Sequence, residues 1–211
     1  MIDLLIVDDH MIIRRGLVQI LAGAERIGTI REAGDGPEAL RELRHQAVDV
    51  VLLDVALGDR DGLDVLKTIR CEFPRIGVVM LSVYPESQFA VRTIRGGAGA
   101  YLNKGCSPDE LLAAIHKVGA GGVFVTPGIA EMLARSVREG DSKPPHELLS
   151  DREFQVFNLL GQGRSVSEIA AQLSLSANTI STYRARIFDK LGVRSLVELL
   201  NYASRYDLRA H

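Results

Sequence analysis

Short apolar runs alternate with amphipathic stretches through the first 125 residues of this 211-residue chain. The runs lie at residues 4–7, 50–53, 78–81 and 100–102, with a weaker one at 29–32. Runs this short, with apolar residues on both faces, are typical of buried parallel strands. The stretches between them, near residues 11–22, 37–45, 62–71, 86–95 and 108–118, have helical spacing. Five strands alternating with five helices predict a doubly wound α/β domain around a five-stranded parallel sheet.

The pattern changes in the remainder of the chain. Residues 127–138 form a possible helix, and the polar, proline-containing residues 139–145 are typical of a linker. A structured loop within one domain is the alternative. Four helical stretches follow, near residues 151–160, 166–173, 177–191 and 195–204. The predicted organisation is a domain at 1–122, a partly helical linker at 123–147 and an all-α four-helix domain at 148–211.

Capping residues mark the starts of several predicted helices. The spacing of a capping box occurs at Ser150…Glu153, Ser165…Glu168 and Ser195…Glu198, and Ser107-Pro108-Asp109-Glu110 combines an N-cap, a first-turn proline and a capping-box glutamate. Only Ser174-Leu175-Ser176 separates the second and third helices of the last domain, and Ser176 is a further N-cap candidate. So short a connection predicts a helix-turn-helix.

Composition and charge add weaker constraints. The chain is 46% hydrophobic and 25% charged, which is ordinary for a globular protein. No stretch approaches the roughly 18–20 apolar residues of a membrane helix, and three acids among the first nine residues argue against a signal peptide, so the cytoplasm is expected. Cys71 and Cys106 are expected to be reduced thiols, and the five histidines show no mutual ligand spacing. Residues 1–125 have a net charge of −3 and residues 148–211 of +2, which fits a tail that meets a polyanion.

Polar residues stand where the predicted strands end. Asp8 and Asp9 end the first strand and Asp54 the third, while Ser82 ends the fourth and Lys104 the fifth. In an open parallel sheet, ligands bind outside these carboxyl ends, where the strand order reverses. Each residue alone has a simpler interpretation, because a strand-end aspartate or serine often caps a turn and a lysine is usually solvated. Their occurrence together at one sheet edge favours a site.

The chemistry of these residues is consistent. Crowded carboxylates repel one another unless a hard cation neutralises them, and oxygen ligands suit Mg²⁺. Asp54 could then attack phosphorus and form an acyl phosphate. Lys104 would place a positive charge against a phosphoryl oxygen, and Ser82 would offer a hydroxyl donor.

These residues resemble the receiver domains of response regulators over roughly residues 1–122. The motifs are Asp8-Asp9-His10, Asp54 with Gly62 eight residues later, Leu81-Ser82 and Tyr101-Leu102-Asn103-Lys104. The resemblance implies the flavodoxin-like strand order 2-1-3-4-5 and Asp54 as the phosphoacceptor. It further implies a Mg²⁺ site made of Asp8, Asp9, Asp54 and the backbone carbonyl of Ala56, with Ser82 and Lys104 contacting the phosphoryl group. Tyr101 would turn inward when Ser82 moves; otherwise it is a half-buried strand aromatic.

Two residues depart from the receiver pattern. Gly58 stands where the family usually has proline, and Val83 where it prefers a very small residue. A phosphorylation-independent DNA-binding regulator with a degenerate pocket is therefore the alternative function. A Mg²⁺-dependent phosphatase of the same topology is a second rival, against which stand the fused second domain and the lack of a separate general acid.

Residues 177–191 combine a buried stripe with a polar face. Ile180, Tyr183, Ile187 and Leu191 have the spacing of a stripe facing a core. The other face carries Asn178, Ser181, Thr182, Ala185 and Asp189, beside Arg184, Arg186 and Lys190. Small polar side chains beside cations suit a helix in the DNA major groove. A solvated amphipathic helix is the alternative, and the preceding turn favours DNA binding.

Residues 148–205 resemble the LuxR-type helix-turn-helix of NarL/FixJ response regulators. The matching segments are residues 149–153, 165–170, Leu175-Ser176, Thr179-Ile180 and Lys190-Leu191, and residues 181–186 are similar to the UvrY/GacA-type subgroup. The resemblance implies base-facing Ser181, Thr182 and Ala185 in a DNA-contacting set completed by Asn178, Thr179, Arg184, Arg186 and Lys190. A last helix with Leu196, Leu199, Leu200 and Ala203 would form a homodimer when active. A sensor histidine kinase or small phosphodonor, double-stranded DNA and RNA polymerase are the expected partners, and membrane association is not expected.

Overall fold

The computed structural model describes residues 1–57, 60–138, 145–173 and 175–206, and its contacts divide the chain into two compact units, Met1–Ala130 and Glu131–His211. The strands, in chain order, are β1 (Ile2–Val7), β2 (Ile27–Ala33), β3 (Val50–Asp54), β4 (Ala56–Leu57), β5 (Arg60–Asp61), β6 (Gly77–Ser82) and β7 (Ala100–Asn103). The helices are α1 (Met11–Leu21), α2 (Gly36–His45), α3 (Gly62–Glu72), α4 (Glu86–Arg95), α5 (Pro108–Gly119), α6 (Pro127–Arg138), α7 (Asp151–Gly161), α8 (Val166–Gln172), α9 (Ala177–Leu191) and α10 (Leu196–Arg205), with a 3-10 helix at Pro145–Leu148. Among these described helices, none combines the length and apolar character that crossing a bilayer requires.

The first unit is built on a five-stranded parallel sheet. Its order is β2-β1-β3-β6-β7, so the predicted order 2-1-3-4-5 of a doubly wound sheet is confirmed. All five residues of β3 are buried, as expected for the central strand of a sheet covered on both faces. On one face, Leu52 and Val79 pack with Leu111 and Ile115 of α5 in a continuous apolar core. This burial fixes the strand register, because a slip of one residue would exchange the two faces.

Two features of the first unit were not predicted. The strands β4 and β5 pair as a small antiparallel ribbon directly after β3. Gly58, which the sequence analysis singled out, lies outside the described residues. Phe124, assigned above to the linker, forms a parallel bridge with Ala100, and its amide donates to Gly99 O at 2.8 Å. The chain therefore continues along the sheet edge before α6 begins.

The second unit is helical, as predicted. Ser150 and Ser165 each form a complete capping box, in which the serine oxygen accepts from the glutamate amide three residues later and that glutamate accepts from the serine amide. The Ser195 motif differs, since Ser195 caps the amide of Glu198 while the Glu198 carboxylate accepts from Arg194 N. Ser176 caps α9 as expected. Ser174, in the predicted turn, lies outside the described residues.

Candidate functional site

The strand ends of the first unit bring Lys104 against two buried carboxylates. Asp54 ends β3, Asp8 directly follows β1 and Lys104 directly follows β7. The Lys104 Nζ atom lies 2.7 Å from Asp8 Oδ2 and 2.8 Å from Asp54 Oδ2. Asp8 is 1% and Asp54 2% exposed. Three residues separated by more than forty positions in sequence thus form one charged cluster, as the rule for parallel sheets predicts.

Asp9 and His10 complete a group of potential metal ligands. One ligand atom from each of Asp8, Asp9, His10 and Asp54 lies within 4.8 Å of the others. His10 Nδ1 is 2.7 Å from Asp9 Oδ1, and the His10 amide donates to Asp8 Oδ1 at 2.8 Å. The sequence analysis included His10 in a motif of this site but gave it no part as a ligand. The signal was available, because His10 immediately follows the two aspartates.

Burial dominates the electrostatics of this pocket. Burial raises the pKa of Asp54, Lys104 lowers it and the nearby Asp8 charge raises it, and together they bring it to about 6. Burial alone would lower the pKa of Lys104, but the two carboxylates outweigh it and raise that pKa above its ordinary value. The pocket therefore holds Lys104 charged, while the charge of Asp54 depends on which cations are close to it.

The backbone around Asp54 is held in a narrow space. The Ala56 amide donates to Asp54 Oδ1 at 3.2 Å, and the Gly62 amide donates to Val55 O at 3.0 Å. A Cβ atom at Gly62 would lie 2.0 Å from the carbonyl oxygen of Asp54, closer than any real contact. Only glycine fits there, so Gly62 sets the path of the chain on which Asp54 is mounted.

Ser82 and Tyr101 meet at the backbone of Tyr84. Ser82, the buried last residue of β6, accepts a hydrogen bond from Tyr84 N at 3.0 Å, and Tyr101 donates its hydroxyl to Tyr84 O at 2.8 Å. Tyr101 is fully buried, which raises the pKa of its phenol, so the half-buried alternative for this aromatic does not hold. Val83 is 65% exposed. The side chain of Val83, which departs from the receiver pattern, is therefore largely exposed to solvent.

The donor set of this pocket fits Mg²⁺. Carboxylate oxygens from Asp8, Asp9 and Asp54 are hard ligands of the kind this ion prefers, and two of the three residues are buried. The backbone of Ala56 also lies beside this pocket, because its amide donates to Asp54 Oδ1.

In the second unit, α8 and α9 form a helix-turn-helix with an exposed polar face on α9. Ile180 and Ile187 are fully buried and Leu191 nearly so, while Tyr183 is partly buried, which gives the expected inward stripe. The exposed residues of α9 include Asn178, Ser181, Thr182, Arg184, Ala185 and Arg186, and Thr179 is partly exposed. In the described part of the chain, neither Arg184 nor Arg186 forms an ion pair. Among the described residues, therefore, two guanidinium groups without an ion pair flank the polar face.

The chain matches two protein families, one for each unit. Residues 4–116 match the family described as response regulator receiver domain, and residues 147–203 match bacterial regulatory proteins of the luxR family. This chain belongs to the response regulators with a LuxR-type DNA-binding domain. The resemblance recognised in its sequence is therefore confirmed.

Relatives of this response regulator match it over nearly their whole length. Response regulator UvrY of Escherichia coli strain K12 is 36% identical over 209 residues, which is 99% of this chain and 96% of UvrY. Transcriptional regulatory protein UhpA of the same strain is 40% identical over 200 residues, 94% of this chain and 96% of UhpA. RcsB of Salmonella enterica serovar Typhimurium, bound to the promoter P1flhDC with the phosphomimetic BeF3⁻, is 25% identical with a TM-score of 0.64, covering 97% of this chain and 98% of RcsB. The chain is thus a regulator of transcription and not an enzyme.

Lys190 of this regulator has a structural contact that sequence analysis missed. Its Nζ atom lies 2.6 Å from Oε2 of Glu153, which is 3% exposed, and 3.4 Å from Leu148 O. Glu153 also accepts from Ser150 N in the first capping box, and these bonds outweigh its burial and lower its pKa. Lys190 therefore joins α9 to α7. Its charge alone does not distinguish it from the two exposed arginines.

The last helix of the regulator buries part of the stripe expected to form a dimer. Leu199 and Ala203 are completely buried, whereas Leu196 is 42% and Val197 66% exposed. The two buried residues stabilise their own domain. Of the four residues expected to form a dimer, Leu199 and Ala203 are therefore inaccessible, while Leu196 is exposed and Leu200 is partly exposed.

An aromatic group around His146 was also not predicted. The His146 amide and its ring Nδ1 lie 3.2 Å and 3.1 Å from the Tyr202 hydroxyl, and its ring packs edge-on against Tyr206. Burial raises the pKa of Tyr202 to about 12. These contacts hold the 3-10 helix, which precedes α7, against α10. They join positions 56 residues apart, which no local pattern reveals.

Proposed function

We propose that this response regulator accepts a phosphoryl group on Asp54 and then binds specific double-stranded DNA through α9. One observation carries the first half: Lys104 Nζ lies within 2.8 Å of both Asp8 and Asp54, at the one sheet edge where their strands end. An Asp54 oxygen attacks phosphorus while the bond from phosphorus to the donor breaks, and the result is an acyl phosphate. A sensor histidine kinase or a small acyl phosphate is the donor.

Asp8, Asp9, Asp54 and the backbone carbonyl of Ala56 would hold Mg²⁺. When bound, the ion supplies positive charge that neutralises the carboxylates and the phosphoryl oxygens. Lys104 adds a second positive charge, since its Nζ atom already contacts Oδ2 of both Asp8 and Asp54. This charge keeps Asp54 ionised as a nucleophile despite the burial that raises its pKa to about 6.

Ser82 and Tyr101 transmit the modification to the surface. Both contact the backbone of Tyr84, Ser82 at its amide and Tyr101 at its carbonyl. A phosphoryl oxygen on Asp54 accepts the Ser82 hydroxyl proton and draws this side chain towards Asp54, which lengthens and weakens the bond that Ser82 Oγ accepts from Tyr84 N. The segment between β6 and α4 then changes its preferred conformation, which shifts an existing equilibrium and does not create a new fold.

The DNA-binding half uses the exposed face of α9. Arg184 and Arg186 contact phosphates, while Ser181, Thr182 and Ala185 face base edges, and Asn178 and Thr179 contact DNA from the first turn of the helix. Lys190 has the smallest share, because Glu153 already neutralises it. A homodimer would place two such helices in half-sites about one DNA turn apart. RNA polymerase is the partner expected at the bound promoter. The expected location is the cytoplasm, because DNA is the ligand.

Phosphorylation is tested by incubating the full chain with acetyl phosphate and Mg²⁺ and measuring its intact mass. We expect the mass to rise by one phosphoryl group, and the Asp54→Asn variant to show no rise. Specific DNA binding, measured in parallel, should increase with the phosphodonor in the wild type only. An unchanged mass of the wild type would favour the alternative, a regulator that binds DNA independently of phosphorylation.

A further inference from the structure

Three residues of α9 share one exposed face. Asn178, Thr182 and Ala185 stand at positions i, i+4 and i+7, so their side chains lie one above another along the helix. All three are exposed, and Ser181 is exposed at the edge of the same face. The face is therefore narrow and is made of small side chains.

The Thr182 hydroxyl is already engaged within the helix. It donates to the carbonyl oxygen of Asn178 at 3.0 Å, the bond that threonine commonly makes one turn back along a helix. With its hydroxyl directed to the backbone, Thr182 leaves its methyl group for a partner. Ala185, three residues later, carries nothing but a methyl group. Thr182 and Ala185, which are neighbours on this face, therefore each present a methyl group to solvent.

We propose that Thr182 and Ala185 select thymine in the bound DNA through its C5-methyl group. The inference rests on the proposed role of α9 in the major groove. Thymine is the base that presents a methyl group there, and threonine methyl and alanine side chains are suitable contacts for it. The other three bases have no methyl group in the major groove, so none of them can bury one against these two side chains.

The hydroxyl oxygen of Thr182 could instead accept a hydrogen bond from an adenine or cytosine amino group, since it retains a free lone pair. Substitutions separate these two modes of recognition. Thr182→Val keeps the methyl group and removes the hydroxyl, whereas Thr182→Ser keeps the hydroxyl and removes the methyl group. Ser181→Ala is the comparison variant: it removes a base-facing hydroxyl and is expected to lower the overall affinity, but it leaves both methyl groups in place.

The test begins with sites selected from random duplex DNA by the full phosphorylated chain. Each thymine in a selected site is then replaced singly by deoxyuridine, which lacks only the methyl group, and the affinity is measured. At two thymines in each half-site, we expect the replacement to lower the affinity of the protein for the DNA about fourfold, which is the effect of one buried methyl group. The Thr182→Val and Ser181→Ala variants should keep this ratio, and Thr182→Ser should bring it close to one at one of the two positions.

Other outcomes overturn the inference in recognisable ways. If the chain selects a defined sequence but no thymine is sensitive to deoxyuridine, the methyl readout is wrong and the proposed DNA-binding function stands. The same holds if Thr182→Val loses the selected preference while Thr182→Ser retains it, because the hydroxyl is then the reader. If the full chain selects no sequence at all, the proposed function fails together with the inference.

Discussion

Gly62 lies against the main chain of Asp54, so that a Cβ atom at residue 62 would stand 2.0 Å from the Asp54 carbonyl oxygen and 3.0 Å from its carbonyl carbon. The contact is with backbone, which cannot turn aside as a flexible side chain can. Gly62, the first residue of α3, thus fixes the backbone position of Asp54, the proposed phosphoacceptor.

Gly62→Ala should therefore displace Asp54 and destabilise the first unit. We expect the free energy of unfolding to fall by about 1–3 kcal/mol, as for other overpacked sites, and phosphorylation by acetyl phosphate to slow. Urea unfolding and intact mass measure the two effects. Gly16→Ala is the control, since no atom lies within 4 Å of its Cβ position in α1 and the change should stabilise that helix by up to about 1 kcal/mol. Equal behaviour of the two variants would refute the packing argument.

Removal of the Lys104 charge should destabilise the pocket. Lys104→Met leaves Asp8 and Asp54 buried, adjacent and without their cation, which is expected to lower the free energy of unfolding by about 3 kcal/mol at neutral pH. Added Mg²⁺ should restore part of this loss, because it replaces the missing positive charge. Thermal unfolding with and without Mg²⁺ measures both effects.

The matched control for Lys104 is Arg44→Met. Arg44 pairs with Glu72 at 2.8 Å, but the two side chains are 53% and 40% exposed. Such a pair contributes less than about 1 kcal/mol, so this variant should unfold nearly as the wild type does and should respond to Mg²⁺ in the same way. A loss as large as that of Lys104→Met would show that burial is not the cause.

Most of the first unit could be predicted because its strands are buried on both faces. An apolar run as short as Val50–Leu53 is typical of a central strand, and the strand ends then bring Asp54 and Lys104 to one edge. The ribbon β4–β5 was missed, because two-residue strands have no hydrophobic period. The helix starts were found because capping requires specific side chains at fixed spacing.

The contacts that could not be predicted join residues distant in sequence and polar in character. Lys190 has the same charge as Arg184 and Arg186, and only the packing of α9 on α7 brings it within 2.6 Å of Glu153. Burial at the last helix was misjudged for a similar reason. Leu196 and Leu199 are alike in hydrophobicity, and only the rotation of α10 buries the second and exposes the first.

The Glu153–Lys190 pair should make the second unit sensitive to acid. The pKa of Glu153 is lower in the folded chain than in the unfolded one, so its contribution is complete above the ordinary glutamate value of about 4.3 and disappears as the pH falls through the lower folded value. Lys190→Met should cost about 1–3 kcal/mol at pH 7 and much less near pH 3. Lys190→Arg keeps the charge and should retain most of the stability. Chemical unfolding at both pH values, followed by circular dichroism, measures the difference, and an equal cost at both would contradict it.

Thr126 should control the start of α6 through its hydroxyl. The hydroxyl oxygen accepts from Ile129 N at 3.2 Å, while the hydroxyl proton is donated to Glu86 Oε2, at the start of α4, at 2.8 Å. Thr126→Val removes both bonds at nearly constant shape and should cost about 1 kcal/mol, the usual effect of losing an N-cap. Hydrogen exchange at the Ile129 amide should accelerate in this variant, because its acceptor is gone. Thr126→Ser, which keeps the hydroxyl, should protect that amide as the wild type does.

Glu86→Gln retains an acceptor oxygen for the hydroxyl proton and should have little effect. If Glu86→Gln exposed the amide as strongly as Thr126→Val, the charge of Glu86 and not the cap would hold this helix start.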